Sequence, residues 1–340
     1  MDTYAVSKRP VANKYCSLAT SLKNSKLKMK KIYVVTGGAG FIGSHIAERL
    51  LNDGHSVHIV DNFFSGKISN LARLSGDFHV HQVSITDLSS MRTLFAGVDT
   101  VFHHAALASV TQSVDDPLLN HEYNVTGTLN VLLAARDTGV RRVVFAASSA
   151  AYGDISDEYK LETMRPSPTS PYGTAKVTGE YYCQVFSRVY DLETVCLRYF
   201  NVFGPRQDPQ SQYAAVIPLF ITALLQGNSP TIYGDGLQSR DFVYVENVVH
   251  ANLLAAESPA ANGQIINVAI GNHINLLELL KRINNILGTN IQPQHMPERT
   301  GDIKHSCADI TKARQVLNYR PIVDFDAGLA RTIEWYRSGS

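Results

Sequence analysis

Short apolar runs alternate with helical patterns along the chain from residue 31 onward. Runs typical of buried β-strands occur at 31–36, 57–60, 78–83, 100–103, 142–147 and 194–200. Between them, apolar residues recur with helical spacing at 42–51, 87–95, 117–135 and 172–189. Strands that alternate with helices in this way predict an α/β fold built on a doubly wound parallel sheet.

The pattern changes after Asn201, where loops rich in glycine and proline separate shorter elements. A helix over 248–256 and a strand over 265–268 are expected to return to the main sheet. We therefore expect an N-terminal arm over 1–30 and a larger α/β domain over 31–200 plus about 241–270. A smaller, partly interleaved domain is expected over 201–240 and 271–340.

The first predicted strand runs directly into a glycine-rich turn. Its glycines at 37, 40 and 43 allow backbone N–H groups to approach a diphosphate, and the following helix adds its positive N-terminal end. The next strand ends in Asp61-Asn62, where an acid is placed to bind a ribose diol. Because Asp61 would repel a 2′-phosphate, the pattern predicts NAD in preference to NADP.

A second motif opens the helix predicted near residue 172. Ser170 is suited to cap this helix and Pro171 to its first turn. Tyr172 and Lys176 are four residues apart, so they share one face of the helix. An ammonium beside a phenol favours the phenolate, so we expect a lowered pKa for Tyr172 and a base near neutral pH.

Four residues at the ends of predicted strands support a single site at one edge of the sheet. In doubly wound sheets, ligands bind beyond the carboxyl ends of the strands. The residues at these ends are Asp61, Ala105, Ser148 and Asn201.

Composition narrows the range of partners and compartments. The chain has 340 residues and a net charge of +1. It therefore lacks the strong electrostatic field that would attract nucleic acid or a charged membrane surface. No apolar run reaches the ~18 residues that a membrane span needs. The four cysteines lack CxxC spacing, which favours reduced thiols and a cytoplasmic protein. The basic first thirty residues are expected to form a surface arm, although their composition also fits a transit peptide.

A metal site is not expected from the sequence. His103 and His104 lie together at a strand end, but no third ligand is apparent near them. We expect a structural role for them, or a place in the wall of the cofactor site.

The motifs, in this order and spacing, resemble those of the extended short-chain dehydrogenase/reductases, and specifically the nucleotide-sugar epimerases, from about residue 30 onward. The resemblance rests on 36–43 (TGGAGFIG), Asp61-Asn62, Asn124, Ser148, Tyr172-x3-Lys176, 198–204 (RYFNVFG), Arg240-Asp241 and Arg299-x-Gly-Asp302. Within the family, the sequence is most similar to bacterial UDP-N-acetylglucosamine 4-epimerases of polysaccharide pathways. The resemblance implies an NAD-binding Rossmann domain, a UDP-sugar-binding domain, and epimerisation at C4 through a 4-keto sugar with tightly held NAD.

The resemblance also assigns roles to individual residues. Tyr172 is implied to be the catalytic base, Lys176 its activator, and Ser148 a hydrogen-bond partner of the reacting hydroxyl, with Ser149 able to share that role. Tyr172 and Lys176 also belong to the implied cofactor site, together with Gly37, Gly40, Phe41, Ile42, Gly43, Asp61, Asn62, Ser65, Gly66, Ser84, Ile85, Ala105, Ala106, Leu107, Asn124 and Tyr199. Ser148, Ser149 and Tyr172 also belong to the implied substrate site, together with Ser109, Asn201, Ala215, Val216, Tyr233, Arg240, Arg299, Asp302 and Ser306.

Two departures from the family pattern affect this interpretation. Ser84 stands where family members often have an acid that binds the edge of the adenine, so a serine must replace that acid here. Ser149-Ala150 stands where sugar 4,6-dehydratases have an Asp-Glu pair and nucleotide-sugar decarboxylases a Glu. Because Ala150 has no acidic or basic group, elimination is not expected.

The expected sugar depends mainly on Ser306. In related epimerases this position forms a wall of the sugar pocket, and a tyrosine there restricts the pocket to unacetylated hexoses. A serine leaves room for an acetamido group, which Ser109 is placed to bind. UDP-GlcNAc and UDP-GalNAc are therefore expected, with UDP-glucose/UDP-galactose or a UDP-uronate as the alternative. A net dehydrogenase and a dinucleotide sensor without turnover are further alternatives, and the intact Tyr172–Lys176 pair disfavours the sensor.

The apolar helices over 117–137 and 172–190 expose more apolar surface than one sheet face covers. By resemblance, they are expected to form a two-fold homodimer interface. Burial beneath the N-terminal arm is the alternative.

Overall fold

The computed structural model describes residues 29–209, 215–298 and 304–339. Most of the predicted N-terminal arm, and the predicted substrate residues Arg299 and Asp302, lie outside these ranges. The chain divides into two compact units, 1–30 and 31–340, and all the helices and strands named below belong to the second.

The larger part of this unit alternates strands and helices. In chain order its elements are β1 (Ile32–Thr36), α1 (Phe41–Asn52), β2 (Ser56–Asp61), β3 (Phe78–Gln82), α2 (Leu88–Leu94), β4 (Thr100–His103), α3 (Val110–Asp115), α4 (Pro117–His121), α5 (Gly127–Asp137), β5 (Arg142–Ser148), β6 (Tyr159–Lys160), α6 (Pro171–Val189) and β7 (Glu193–Tyr199). The later elements are β8 (Asn201–Phe203), α7 (Val216–Leu225), β9 (Thr231–Tyr233), β10 (Ser239–Arg240), β11 (Phe242–Tyr244), α8 (Val245–Glu257), β12 (Gln264–Val268), β13 (Ile274–Asn275), α9 (Leu276–Leu287), β14 (Gln294–Met296), β15 (His305–Ala308), α10 (Thr311–Leu317) and α11 (Phe325–Arg337).

Within the described residues, seven parallel strands form the central sheet in the order β12-β7-β5-β4-β1-β2-β3. The order reverses between β1 and β4, which places a crevice at their carboxyl ends. The prediction of a doubly wound α/β fold is confirmed. The later strand β12 lies beside β7 in this sheet, while the proposed division into two interleaved domains stays a prediction.

Apolar clusters cover both faces of the central sheet. One cluster includes Val35 and Ile59 and packs Ile46 of α1 against the sheet. The opposite cluster includes Val34 and Leu132, the latter from α5. Because both faces are buried, the central strands are continuous apolar runs rather than alternating ones, and this is why the sequence pattern identifies them.

A separate apolar cluster lies among the later elements. It joins Phe203 of β8, Phe220 of α7, Leu279 of α9 and Phe325 of α11, all of them nearly fully buried. The short strands of this part pair as β13-β10-β15-β6, β11-β8 and β14-β9 over the described residues.

The segment predicted as one long helix over 117–135 is interrupted. α4 ends at His121, a π-helical turn comes next at Glu122–Thr126, and α5 begins at Gly127. Gly127 packs so closely that a Cβ there would lie 2.5 Å from Cδ1 of Ile85. Apolar residues occur on both sides of this turn, which is why the sequence pattern predicts one continuous helix. π-turns of this kind often occur at functional sites.

Candidate active site

The glycine-rich turn is shaped by close backbone contacts. Gly37 has a φ of +68°, and a Cβ there would lie 2.6 Å from the backbone nitrogen of Ala105. A Cβ on Gly43 would lie 2.2 Å from the carbonyl oxygen of Gly37. Among the described residues, no side chain caps the helix that starts at Phe41. Its first N–H groups are thus suited to an anion such as a diphosphate.

Asp61 is fixed at the end of β2 beside this turn. Its Oδ2 accepts a hydrogen bond from the N–H of Ala39 at 3.0 Å, and its Oδ1 accepts one from Phe63 at 2.8 Å. Burial raises the pKa of its carboxyl, and these two hydrogen bonds oppose the rise. A Cβ on Gly66 would lie 2.7 Å from Oδ1 of Asp61. The carboxylate is therefore held in one orientation, as a group that binds a ribose diol must be.

A cavity of about 490 Å³ begins at the glycine-rich turn and reaches Tyr172 and Lys176. Among the described residues, all the predicted cofactor residues except Asn124 line this cavity, and the predicted substrate residues Ser109 and Ala215 line it too. The structure thus brings together residues from Gly37 to Tyr199. These residues are far apart in the sequence, and the ends of parallel strands bring them to one crevice.

Asn124 holds the wall of the cavity. Its Oδ1 accepts the N–H of Leu107 at 2.8 Å, and its Nδ2 donates to the Leu107 carbonyl at 3.0 Å and to Asn120 Oδ1 at 2.7 Å. Both amide hydrogens and the oxygen are therefore engaged within the protein. The structure places Asn124 behind Leu107, so it shapes the cavity through the loop.

The N-terminus of α6 is held from two sides. The predicted cap is confirmed, because Ser170 Oγ accepts the N–H of Gly173 at 3.1 Å. Ser113 of α3, which belongs to no motif found in the sequence, accepts the N–H of Tyr172 at 3.1 Å. Both oxygens bind N–H groups that a helix leaves without intrahelical partners.

The pKa of Tyr172 differs from the expectation. Burial raises it, and a hydrogen bond with Ser148 opposes the rise. The Nζ atom of Lys176 lies 5.8 Å from the centre of the Tyr172 ring and donates to the Ala146 carbonyl at 2.8 Å. The expectation of a lowered pKa for Tyr172 is wrong in this structure, because desolvation of the phenolate outweighs the hydrogen bond with Ser148.

Lys176 is buried, and burial lowers the pKa of its ammonium to about 8. Glu180, one helical turn further, opposes this shift and forms a two-point ion pair with Arg198 at 2.7 Å. The charge of Lys176 is therefore poised to change in a pH range that enzymes experience.

Ser148 and Ser149 lie where β5 ends. Ser148 Oγ accepts the N–H of Ala150 at 3.1 Å and shares a hydrogen bond with Tyr172. Ser149 starts the short 3₁₀ turn Ser149–Ala151 and is partly buried. Of the two, Ser148 is the serine that influences the pKa of Tyr172.

The two adjacent histidines serve the core and the cavity wall. His103 lies between Thr36 Oγ1 at 2.8 Å and Thr128 Oγ1 at 3.0 Å. His104 lines the cavity and hydrogen-bonds the Tyr199 hydroxyl at 2.9 Å. Burial lowers the pKa of His104 to about 3, so it is neutral near pH 7. Over 29–209, 215–298 and 304–339, no group of three or more His, Cys, Asp or Glu is arranged to hold a metal ion.

A second cavity of about 430 Å³ adjoins the later elements. The predicted substrate residues that line it are Asn201, Ala215, Val216, Tyr233 and Arg240. Ala215 lines both cavities, so the two meet there. The neighbour of Arg240, Asp241, is buried and accepts hydrogen bonds from Ile270 and Gly271 at 3.1 Å, which fixes the strand that carries Arg240.

Ser306 lies on β15, in register with Arg240 of β10. Among the described residues, it lines neither of the two cavities. Its backbone carbonyl accepts the N–H of Asp241 at 2.8 Å.

A doubly wound sheet with a glycine-rich turn, a fixed acid and a tyrosine–lysine pair in one crevice defines a dinucleotide-dependent enzyme that transfers hydride and protons. The model of the NAD dependent epimerase/dehydratase family matches residues 33–269, and the chain belongs to this family. None of the helices over the described residues is long and apolar enough to cross a membrane.

Individual relatives cover nearly the whole chain. It is 40% identical over 312 residues to a UDP-glucose 4-epimerase of Mycolicibacterium smegmatis, covering 90% of this chain and 99% of that protein. A UDP-N-acetylglucosamine 4-epimerase from Methanobrevibacter ruminantium, solved in complex with UDP-N-acetylmuramic acid, has a TM-score of 0.88 and 43% identity, with 92% of this chain and 100% of that chain covered. A UDP-glucose 4-epimerase of Thermus thermophilus, solved with NAD, has a TM-score of 0.82 and 37% identity, and the match covers 91% of this chain and 100% of that chain.

These similarities confirm the predicted family, the NAD dependence and an enzyme of the epimerase type. Among the solved and named relatives, the sugars differ, so the sugar used by this chain stays a prediction.

Proposed function

We propose that this chain interconverts the C4 epimers UDP-GlcNAc and UDP-GalNAc and keeps its NAD bound between turnovers. The observation that carries the proposal is that Tyr172 and Lys176 line the first cavity, which shares Ala215 with a second cavity lined by Asn201 and Arg240. The first cavity is suited to a dinucleotide. The second is suited to a nucleoside diphosphate, so we propose that the sugar lies between the two, near Tyr172.

The residues of the first cavity fit NAD. Gly37 and Gly43 let the turn fold tightly, because a Cβ at either position would clash with backbone atoms of the protein, and the tight turn lets backbone N–H groups approach a diphosphate. Asp61 would bind the adenosine ribose, and Lys176 the nicotinamide ribose. When bound, NAD takes up the C4 hydride of the sugar and returns it.

The proton moves through the protein's own side chains. As a phenolate, Tyr172 takes the C4 hydroxyl proton and becomes a phenol, and the phenol returns this proton when the hydride comes back. Ser148, which lies beside Tyr172, would hydrogen-bond the C4 hydroxyl. Positioned proton transfer of this kind contributes about 10²–10⁴-fold to rate. Since the pKa of Tyr172 is raised by burial, the positive charge of Lys176 is needed nearby to make its phenolate accessible.

The second cavity supplies the anchor for the UDP group. Arg240 offers a planar guanidinium that suits the two oxygens of a phosphate. Asn201 and Tyr233 add polar groups to the same wall. A sugar held by its diphosphate can turn about that anchor and present either face of C4 to the hydride. Arg299 is proposed to bind the diphosphate together with Arg240, and Asp302 to bind the uridine ribose.

The acetamido sugars are the preferred substrates in this proposal. Similarity to a UDP-N-acetylglucosamine 4-epimerase supports them. Ser109 also supports them: it lines the first cavity and accepts the N–H of Gln112 at 3.0 Å, so its hydroxyl hydrogen is available to an acetamido oxygen. Ser306 lies beside Arg240. Its support for the acetamido sugars comes from its small side chain, which leaves room near the proposed diphosphate anchor.

UDP-glucose and UDP-galactose form the second candidate pair, and the 40% identity to a UDP-glucose 4-epimerase favours it. Elimination reactions are disfavoured because they need an acidic or basic group at position 150, and Ala150 has none.

One experiment separates these candidates. Purified protein without added NAD is incubated with UDP-GlcNAc, UDP-GalNAc, UDP-glucose or UDP-glucuronate, and the products are separated by chromatography. We expect the highest turnover on the acetamido pair. Faster turnover of UDP-glucose or UDP-glucuronate would assign the alternative sugar, and accumulation of NADH with an oxidised sugar would contradict epimerisation.

We further propose a two-fold homodimer in which the helices over 117–137 and 172–190 pack against their copies. Leu118 is 83% exposed, and Tyr181 and Val185 on α6 are about half exposed. Large apolar side chains in such positions are commonly covered by a partner. Sedimentation at micromolar concentration should give about twice the mass of the chain, and Val185→Lys should shift the species toward monomer.

A further inference from the structure

Residues 205–208, termed here the roof segment, come after β8 in the part of the chain assigned to the substrate. Yet Arg206, Gln207 and Asp208 line the dinucleotide cavity. Arg206 has a φ of +67°, a conformation that non-glycine residues adopt only when other contacts hold them. The contacts that hold it come from both sides of the glycine-rich turn.

On one side, the roof segment is attached to α1. The Nη2 atom of Arg206 donates to Glu48 Oε2 at 2.6 Å, and its Nη1 donates to Ser44 Oγ at 3.3 Å. His45 Nε2 donates to the carbonyl oxygen of Pro205 at 3.0 Å. Burial lowers the pKa of His45 to about 4, so this ring is neutral and adds no charge of its own.

On the other side, the roof segment is attached beyond Asp61. The Nζ atom of Lys67 lies 2.7 Å from Oδ2 of Asp208. The backbone of Lys67 is itself fixed, because its N–H donates to the Ala39 carbonyl at 3.0 Å. In addition, the Tyr336 hydroxyl of α11 donates to the Gln207 carbonyl. The roof segment thus reaches from Glu48 of α1 to Lys67.

We propose that the roof segment retains NAD, and that the Lys67–Asp208 and Arg206–Glu48 ion pairs set how fast the dinucleotide leaves. An epimerase returns its cofactor to the starting state in every cycle, so slow release costs it nothing. The glycine-rich turn and Asp61 line the same cavity as the segment, so in this proposal the ion pairs open before an occupant leaves. These four side chains are positioning residues, since they hold the segment.

The expected effect of each pair is modest. Lys67 and Asp208 are 49% and 33% exposed, and partly exposed pairs stabilise a contact weakly. Loss of one pair should therefore speed release by about two- to fivefold. Salt screens such pairs. Release of NAD from the unaltered protein should therefore become faster, by about two- to fivefold, when the NaCl concentration is raised from about 0.05 to about 0.5 M.

The test measures NAD release directly. Protein loaded with NAD is mixed with excess NADH, and the rise in fluorescence of bound NADH reports the departure of NAD. Lys67→Ala and Asp208→Asn should each speed release, and the double variant should be no faster than the faster single variant. Exchange of the charges in Lys67→Asp/Asp208→Lys should slow release again.

A matched control is available on the far side of the sheet. Arg92 lies 2.7 Å from Asp137 and is also 49% exposed. Arg92→Ala removes an ion pair of the same length whose cation is equally exposed, without touching the cavity, so its release rate should equal that of the unaltered protein.

Two results would overturn the proposal. The first is an unchanged release rate in both single variants. The second is faster release in Lys67→Ala alone, since Lys67 would then act on the dinucleotide and not through Asp208. No UDP-sugar is present in the assay, so its outcome is independent of the sugar that the enzyme prefers.

Discussion

The hydroxyl of Ser113 accepts a hydrogen bond from the backbone N–H of Tyr172 at 3.1 Å, across 59 residues of sequence. Ser113 is fully buried and donates its own hydrogen to the Val110 carbonyl at 2.5 Å. The loop that carries Ser109 is therefore connected to α6 at Tyr172, the residue that we propose as the base. Any shift of α3 would move the start of α6.

Replacement of Ser113 by alanine should impair both stability and catalysis. The Tyr172 N–H would lose its acceptor at a buried position, which should lower the free energy of unfolding by about 1–3 kcal/mol. Urea denaturation and steady-state kinetics measure the two effects, and kcat should fall more than KM changes. Ser113→Thr keeps the hydroxyl and should recover most of the activity. Thr174→Ala, on the exposed side of the same helix, is the control, and an equal loss there would argue against a specific role.

Replacement of Tyr172 by phenylalanine removes the hydroxyl and keeps the ring. Because proton transfer is worth about 10²–10⁴-fold, turnover should fall by at least ~100-fold. The variant should still purify with NAD, since the glycine cradle and Asp61 are unchanged. A rate close to that of the unaltered enzyme would remove Tyr172 from the mechanism.

The glycine cradle predicts a difference between two alanine variants of the same turn. In Gly43→Ala, the new Cβ would lie 2.2 Å from the Gly37 carbonyl oxygen, a clash between backbone-linked atoms. In Gly40→Ala the corresponding distance is 3.1 Å, and Gly40 already has a φ of −78° that alanine adopts freely. We expect Gly43→Ala to lose most of its bound NAD and Gly40→Ala to retain most of it. The absorbance of NAD released by heating measures this, and equal retention would contradict the prediction.

The sheet and the crevice were predictable because they depend on local patterns. Buried parallel strands are apolar runs, and the residues after these runs lie at the same edge of the sheet, so Asp61 and Ser148 could be assigned without a structure. Contacts made by side chains between distant segments leave no such pattern. Two examples are such contacts between distant segments. One is the hydrogen bond from the Tyr172 N–H to Ser113, and the other is the attachment of residues 205–208 to α1 and to Lys67.

Two further differences have the same origin. The π-helical turn at Glu122–Thr126 contains Asn124, whose side chain hydrogen-bonds the backbone of Leu107, and apolar spacing does not record such a contact. The raised pKa of Tyr172 depends on how deeply the chain buries the ring, and the neighbouring Lys176 alone suggested the opposite direction. Residue spacing therefore shows that Tyr172 and Lys176 lie near each other. The degree of burial decides whether desolvation or charge has the larger effect on the pKa of Tyr172.

Lys176 predicts a decline of activity at alkaline pH. Its pKa is lowered to about 8 by burial, so the ammonium is charged below that pH and loses its proton as the pH rises through it. Loss of the charge withdraws support from the Tyr172 phenolate, so kcat should decrease above about pH 8. An arginine stays charged throughout this range, so Lys176→Arg should be slower overall yet lack this decline. A profile of kcat between about pH 6 and pH 10 would show the decline, and the same decline in Lys176→Arg would assign it to another group.

Ser306 offers a test of how the sugar is chosen. It lies on β15 in register with Arg240, so a large side chain at this position would stand beside the proposed diphosphate anchor. Ser306→Tyr should reduce kcat/KM for UDP-GlcNAc by about tenfold or more, in line with the 1–3 kcal/mol by which pocket shape discriminates substrates. UDP-glucose, which lacks the acetamido group, should be affected less. Ser306→Ala keeps the space and should leave both rates near those of the unaltered enzyme. If Ser306→Tyr turns over UDP-GlcNAc at the original rate, the position does not limit the pocket, and Ser109 becomes the residue to vary.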